Sequence, residues 1–213
     1  MGDGTVGKTS VCNRFAKGDF AASYKQTIGL DFFVRKVVLP DGTEVVLQIW
    51  DIGGQSIASK MVKSYVSGAH AVLLCYDVTN YESFKNLEDW FAIVDAVFEK
   101  EKPYVGLVGN KCDLSHIRAV RGVCHAKFAD DNSLDNKFLM SAMSGDQVHA
   151  CFLQVAAALA KVDISRNDID SRVQNVVAAH INVEHLQHDP NIFNGTCPPL
   201  HLNPNSNTTC IIS

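Results

Sequence analysis

Residues 2–9 read Gly-Asp-Gly-Thr-Val-Gly-Lys-Thr, which satisfies G-x-x-x-x-G-K-[ST] at every fixed position. In such a run the glycines let backbone N–H groups close around phosphate oxygens. Lys8 brings a positive charge to the β- and γ-phosphates, and the Thr9 hydroxyl can ligate Mg²⁺. A helix that starts here turns its positive dipole end toward the anion. Gly4, Thr5, Val6, Gly7 and Ser10 complete this candidate cradle. By itself the pattern does not separate ATP from GTP.

Asn110-Lys111-Cys112-Asp113 supplies that distinction. The Asp113 carboxylate can accept two hydrogen bonds from N1–H and the exocyclic amine of guanine, an edge on which adenine offers no such pair. Leaving buried donors or acceptors unpaired is costly, so one carboxylate discriminates strongly. Asn110 would brace neighbouring loops, and the stem of Lys111 would cover one face of the base. Asp51-Ile52-Gly53-Gly54-Gln55 comes between these two motifs. Asp51 suits a water-mediated contact to Mg²⁺, the Gly54 N–H can reach a γ-phosphate, and Gln55 can orient an attacking water. Thr27 is placed to complete the metal shell, and the backbone of Ser141-Ala142-Met143 could reach the guanine oxygen.

These groups need elements that end at the right places. Leu30–Leu39 and Glu44–Asp51 read as paired strands joined by a turn at Pro40-Asp41-Gly42. The runs 69–77, 104–110 and 137–141 are short, apolar and rich in β-branched or aromatic residues, as buried parallel strands are. Helices are predicted at 8–16, 59–67, 83–100, 118–130 and 146–160. In the third, Phe84, Leu87, Phe91, Val94 and Val97 recur at helical spacing and define a core face. The alternation predicts an α/β fold with a mostly parallel sheet and helices on both faces.

The five motifs, in this order and at these intervals, resemble the Ras superfamily of small GTPases over residues 2–162. The stretch Thr27-Ile28-Gly29-Leu30-Asp31-Phe32 and Trp50 before Asp51 look like the Rab branch. Trp50-Asp51-Ile52-Gly53-Gly54-Gln55, together with the ending described below, looks like a divergent farnesylated member of it. The resemblance implies the three-layer P-loop NTPase fold, GTP and GDP as ligands with Mg²⁺, and slow GTP hydrolysis assisted by Gln55. It implies metal ligation by Thr9, Thr27 and Asp51. By the family pattern Phe20 would stack on the open face of guanine and Tyr24 would close over the phosphates, while simple core packing is the other reading of Phe20. Effectors would bind switch segments near residues 24–33 and 51–65, with an exchange factor and a GTPase-activating protein as further partners. The chain departs from the Rab pattern at Ile52-Gly53, usually Thr-Ala, at Ser56, usually Glu, and at Met143, usually Lys. Gly53 would add backbone freedom to the second switch.

The family also has a central strand before the phosphate loop, where this sequence places only Met1 before Gly2. That predicts two open edges in the middle of the sheet. It motivates a second reading, a nucleotide-defective product acting as a protein-binding module.

Residues 163–213 read as a tail. A helix is predicted for 163–183, and the Pro-, Asn-, Ser- and Thr-rich segment from Asp189 reads as a disordered linker. Cys210-Ile211-Ile212-Ser213 matches C-a-a-X with a terminal Ser, which predicts farnesylation of Cys210. One lipid gives marginal membrane binding, and no Lys or Arg follows Arg172 to supply a basic patch. The expectation is a cytoplasmic protein reversibly held on membranes, with a carrier covering the lipid and Cys197 as a candidate second acylation site. His185-x-x-His188 lacks the context of a metal site and reads as solvated. The net charge of −4 argues against nucleic acid as a partner. No run approaches the roughly 18 apolar residues of a membrane helix. The seven cysteines, several of them inside apolar runs, read as reduced thiols.

Overall fold

The computed structural model describes residues 1–21, 23, 25–55, 60–98, 102–171 and 208–212. Helix α1 (Lys8–Lys17) precedes an antiparallel pair, β1 (Leu30–Val38) and β2 (Glu44–Ile52). There follow α2 (Lys60–Val66), β3 (Ala71–Asp77), α3 (Tyr81–Lys85), α4 (Leu87–Val97) and β4 (Tyr104–Asn110). After a 3₁₀ turn at Ser115–Ile117 come α5 (Gly122–Asp131), β5 (Asn136–Leu139), α6 (Val148–Ala160) and β6 (Thr208–Ile212). The sheet order is β1-β2-β6-β3-β4-β5, and every pair except β1·β2 is parallel.

Period-two alternation splits the core into two layers. Leu47 and Ile49 of β2 and Ala71, Leu73 and Cys75 of β3 face a cluster with Phe15 of α1 and Phe152 of α6. Val72, Leu74 and Tyr76 of β3 face the opposite cluster, with Val62 of α2, Trp90 of α4 and Phe128 of α5. The expected three-layer α/β architecture is therefore present. Cys12, Cys75 and Cys151 are buried, and no disulfide forms among the described cysteines.

Local chemistry moves two helix boundaries. The helix predicted from Ser83 starts at Tyr81, because the Asn80 side chain accepts from the N–H groups of Glu82 and Ser83. It also divides at Asn86, whose amide side chain is drawn to Asp3. α5 begins at Gly122 rather than Arg118. The N–H groups of Ala119 and Val120 both donate to Val78 O, which pins the segment before the helix against β3.

Two expectations about the sheet and tail are corrected. The slot between β2 and β3 is not open, since β6 pairs with both strands. Residues 208–212 are accordingly not linker but strand, and their composition, Thr-Thr-Cys-Ile-Ile, has the β-branched side chains that favour it. Where β6 leaves the slot, Met1 enters it. The Met1 amine donates to Leu73 O at 2.6 Å, and the Cys75 N–H donates to Met1 O at 2.7 Å. Residues 166–171 are helical, and Ile169 packs on the α1/α6 side of the core. Residues 163–165, also predicted helical, are not; residues 172–183, Cys197 and the tail histidines lie outside the described residues.

Candidate functional site

The carboxyl ends of β2 and β4, the loop before α1 and the loop after β5 surround a cavity of about 980 Å³. Crevices beyond the carboxyl ends of parallel strands are where open α/β sheets bind ligands. Gly4, Thr5, Gly7, Lys8, Thr9 and Ser10 line one wall. Val6 instead points into the core at 1% exposure and contributes its carbonyl, which accepts from Asn110 Nδ2 at 2.9 Å.

Gly7 caps α1 in the left-handed region, with φ of 95°, and no side chain caps the helix. A Cβ at Gly7 would lie 2.4 Å from Asn110 Nδ2. Glycine is thus required twice, for the dihedral and for the close approach. The uncapped amides at the start of α1 are the donors an anion would take. Lys8 is buried, and its ammonium donates to Gly2 O and Asp3 O at 2.7 Å each. Burial lowers its pKa, opposed by the charges of Cys75, Asp51 and Asp3.

Asp3 ties this loop to α4. Its carboxylate accepts from Asn86 Nδ2 at 2.7 Å and from the Trp90 indole N–H at 2.8 Å. Sequence reasoning missed Asp3, Asn86 and Trp90 because the three are 83 and 87 residues apart and no local pattern joins them.

The three expected metal ligands converge. Thr9 Oγ1 lies 2.8 Å from Thr27 Oγ1 and donates to Asp51 Oδ2, which Thr27 Oγ1 also contacts at 3.3 Å. Asp51 is fully buried, and burial raises its pKa against the opposing hydrogen bond from Thr9 and charge of Lys8. Its other oxygen, Oδ1, is buried with no hydrogen-bond partner. An oxygen-only set of one carboxylate and two hydroxyls with an orphaned buried oxygen fits Mg²⁺, which takes few protein ligands and completes its shell with water and phosphate.

Gly54 and Gln55 stand across the cavity from the phosphate loop. A Cβ at Gly54 would lie 2.2 Å from Gly4 N, so this glycine sits directly on the loop backbone. A Cβ at Gly53 would lie 2.5 Å from Thr27 O, and the Gly53 N–H donates to Gly29 O at 2.9 Å. Beside the backbone freedom expected of Gly53, its missing side chain lets the segments around Thr27 and Gly53 touch. Gln55 accepts through Oε1 from Gln26 Nε2 at 2.8 Å.

At the far end, Asn110 is nearly fully buried and cross-links two loops. It donates to Val6 O and accepts from the Ala142 N–H at 3.1 Å. Asp113 accepts from the Ser141 hydroxyl at 2.5 Å, and Lys111 pairs with Asp77 at 2.6 Å. Ala142 and Met143 reach the cavity, whereas Ser141 is buried behind them. Arg14, which no motif marks, holds this loop by donating to Ala142 O at 2.9 Å and Met143 O at 2.6 Å. Phe20 is 39% exposed at the cavity rim, with the Arg14 guanidinium 6.0 Å from its ring centre, so core packing does not account for it. Tyr24 lies outside the described residues.

The fold defines a P-loop NTPase domain of the small GTPase kind. The chain belongs to the Ras family, which it matches over residues 1–161. It is 44% identical over 178 residues to Ras-related protein Rab-28 of Caenorhabditis elegans, covering 83% of this chain and 71% of that protein. It is 37% identical over 161 residues to Ras-related protein Rab-1C of Dictyostelium discoideum, covering 76% and 79% respectively. The protein is thus a Rab-related member of a family of GTPase switches.

Proposed function

We propose that this chain binds GDP and GTP with Mg²⁺ in the 980 Å³ cavity, hydrolyses GTP slowly, and recruits effectors in membrane traffic when GTP is bound. One observation carries the reading. Thr9, Thr27 and Asp51 meet at one end of a single cavity and Asp113 stands at the other, with the phosphate loop between.

In this reading Asp113 selects guanine, while Ala142 and Met143 cover its oxygen edge with Ser141 behind them. Phe20 stacks on the base, and Lys8 with the α1 amides holds the phosphates. Thr9, Thr27 and Asp51 hold Mg²⁺, which when bound neutralises charge on the phosphates. Gly54 donates its N–H to the γ-phosphate. Gln55 orients a water for in-line attack on the γ-phosphorus: the water oxygen bonds to phosphorus as the bond to the β–γ bridging oxygen breaks, GDP departs with that electron pair, and the water proton passes to the phosphate formed or to solvent. Arg14 is committed to backbone carbonyls in the base loop and Arg35 to Phe15 O. A partner arginine therefore suits the transition state, and such partners raise turnover by about 10⁵-fold. Loss of the γ-phosphate releases the segments near residues 24–33 and 51–65 from effectors. Farnesyl on Cys210 gives reversible membrane attachment, with a prenyl-binding carrier as a further partner. Among the described residues no helix is long and apolar enough to cross a membrane.

The test is nucleotide content and turnover of the purified chain. Stoichiometric GDP, and GTP hydrolysis that falls by up to about 10²-fold in Gln55→Ala without loss of GDP binding, are expected. A chain that purifies empty and fails to take up a fluorescent GDP analogue would sink this proposal and leave the protein-binding module.

A further inference from the structure

Arg14 lies in the last turn of α1 and gives its guanidinium to three backbone carbonyls. Nε donates to Ala142 O at 2.9 Å, Nη2 to Met143 O at 2.6 Å and Nη1 to Gly18 O at 2.6 Å. The first two belong to the loop after β5, 128 and 129 residues away, and the third caps the end of α1. One planar fork thus ties helix to loop, which the point charge of an ammonium does not do. The loop is closed on itself, because the Gly145 N–H donates to Ser141 O at 2.8 Å and the Ser144 N–H to Ser141 Oγ at 3.1 Å. Ala142 and Met143 line the cavity, whereas Arg14 stands outside it. A trans peptide unit is planar, so its N–H points opposite to its C=O. With Ala142 O turned to Arg14, the Met143 N–H of the same peptide is turned away from Arg14, on the side where the loop meets the cavity.

We infer that Arg14 is the positioning residue for the 6-oxygen of the base: by fixing the peptide planes at Ala142 and Met143, it sets the amide edge that donates to that oxygen. The inference rests on reading the cavity as a guanine-nucleotide site. Two edges of the base are then held by different anchors. N1–H and the 2-amino group go to Asp113, whose loop follows β4 and whose Oδ1 accepts from the Ser141 hydroxyl at 2.5 Å. Asn110, at the end of β4, accepts from the Ala142 N–H at 3.1 Å and so keeps Ser141 in place without help from α1. The 6-oxygen depends on the two peptides whose carbonyls Arg14 holds. The same guanidinium lies 6.0 Å from the centre of the Phe20 ring, at the reach of a cation–π contact, so the stacking ring and the 6-oxygen edge share one support. Lysine at position 14 would keep the charge but not the fork, leaving the loop peptides free to turn. A merely structural arginine would instead weaken every nucleotide alike when replaced.

The experiment measures the affinity of the full chain and of Arg14→Lys for GDP, 6-thio-GDP, inosine diphosphate and ADP, by competition against a fluorescent GDP analogue. 6-Thio-GDP differs from GDP only at the 6-position, where sulfur is a poor acceptor, and inosine diphosphate lacks only the 2-amino group. The unsubstituted chain should prefer GDP over both. Arg14→Lys should bind GDP on the order of tenfold more weakly. Its preference over 6-thio-GDP should fall to about twofold or less, while its preference over inosine diphosphate stays within about twofold of the original. Equal weakening of all four ligands would make Arg14 a general support and overturn the inference, as would an unmoved preference over 6-thio-GDP. Hydrogen exchange gives a reading that needs no nucleotide. Amides 142–146 should exchange faster in Arg14→Lys while those of β4 and α6 stay protected, and unchanged exchange in the loop would also overturn the inference. A chain that binds GDP no better than ADP would overturn the guanine reading and this inference together. GDP preferred over ADP, with both analogue preferences unmoved in Arg14→Lys, would overturn this inference alone.

Discussion

At the Asp113 end of the cavity, the side chains are fastened to buried strands. Asn110 terminates β4, bonds Val6 O and Ala142 N, and is 2% exposed. Arg14 fixes the neighbouring loop from α1 through two carbonyls. At the Gln55 end, the contacts are between the moving parts themselves. Thr27 meets Thr9 and Asp51 through hydroxyls, Gly53 meets Gly29 through one backbone bond, and Gln26 meets Gln55 at the exposed surface. A pocket that must hold the same base through a whole cycle benefits from anchoring in the core. Segments that must report one phosphate need few and exposed bonds, because such bonds open at small cost. Under the proposed function, this difference would put affinity and specificity at one end and state sensitivity at the other.

The largest effect should come from the anchored end. Asp113→Ala removes the acceptor for guanine, and GTP affinity measured by competition should drop on the order of 10³-fold with loss of preference over ATP. Unchanged GTP preference would mean that the ends are not specialised in this way.

Acid should loosen the same end from below. His125 is 4% exposed, and its Nδ1 shares a hydrogen bond of 3.0 Å with the Tyr76 hydroxyl. Burial lowers its pKa from 6.5 to about 4, with the charges of Lys137 and Arg118 adding to the shift. The unfolded chain therefore binds the proton at higher pH than the folded one. The His125 contribution is fully present above pH 6.5 and is lost as pH falls toward 4, by on the order of 3 kcal/mol. The buried Met1 amine, lowered from 8.0 to about 5 chiefly by desolvation, acts with the same sign between those values. Urea unfolding across pH 4–8 checks this: His125→Gln should lessen the slope below pH 6.5, most clearly below pH 5, and leave the slope between pH 6.5 and 8 in place.

The switch end is addressed by Gly54→Ala. The new Cβ would collide with the backbone of Asp3 and Gly4. GTP turnover should fall roughly tenfold or more as the Gln55 segment is pushed away, because misplacing a positioned group is costly. GDP affinity should stay nearly unchanged; a parallel loss of GDP binding would erase the distinction between the ends. The smallest effect is expected at the rim. Phe20→Ala should weaken GDP binding by about 1 kcal/mol, roughly fivefold, if its ring stacks on the base. Fluorescent-GDP titration measures it.

Particular residues show what was legible in sequence. Thr9, Asp51, Asn110 and Asp113 could be placed because each motif sits where a strand ends or a helix begins, and those boundaries carry apolar periodicity. Gly53 was read as freedom because its contact, Thr27 O, is 26 positions away and invisible to a local pattern. Arg14 and the Asp3–Asn86–Trp90 cluster were not legible for the same reason, since their partners are carbonyls and side chains brought near by packing.

Residue types and spacing by themselves determined the α/β class and the phosphate-loop fold, because steric and hydrogen-bonding needs at those points admit few residues. The occupant of the central slot was decided only by tertiary structure. Thr-Thr-Cys-Ile-Ile is a competent strand in any sequence window, but only the unpaired edges of β2 and β3 give it a place in the sheet. Backbone hydrogen bonds between strands carry no side-chain code, so what completes the sheet is set by what reaches the gap.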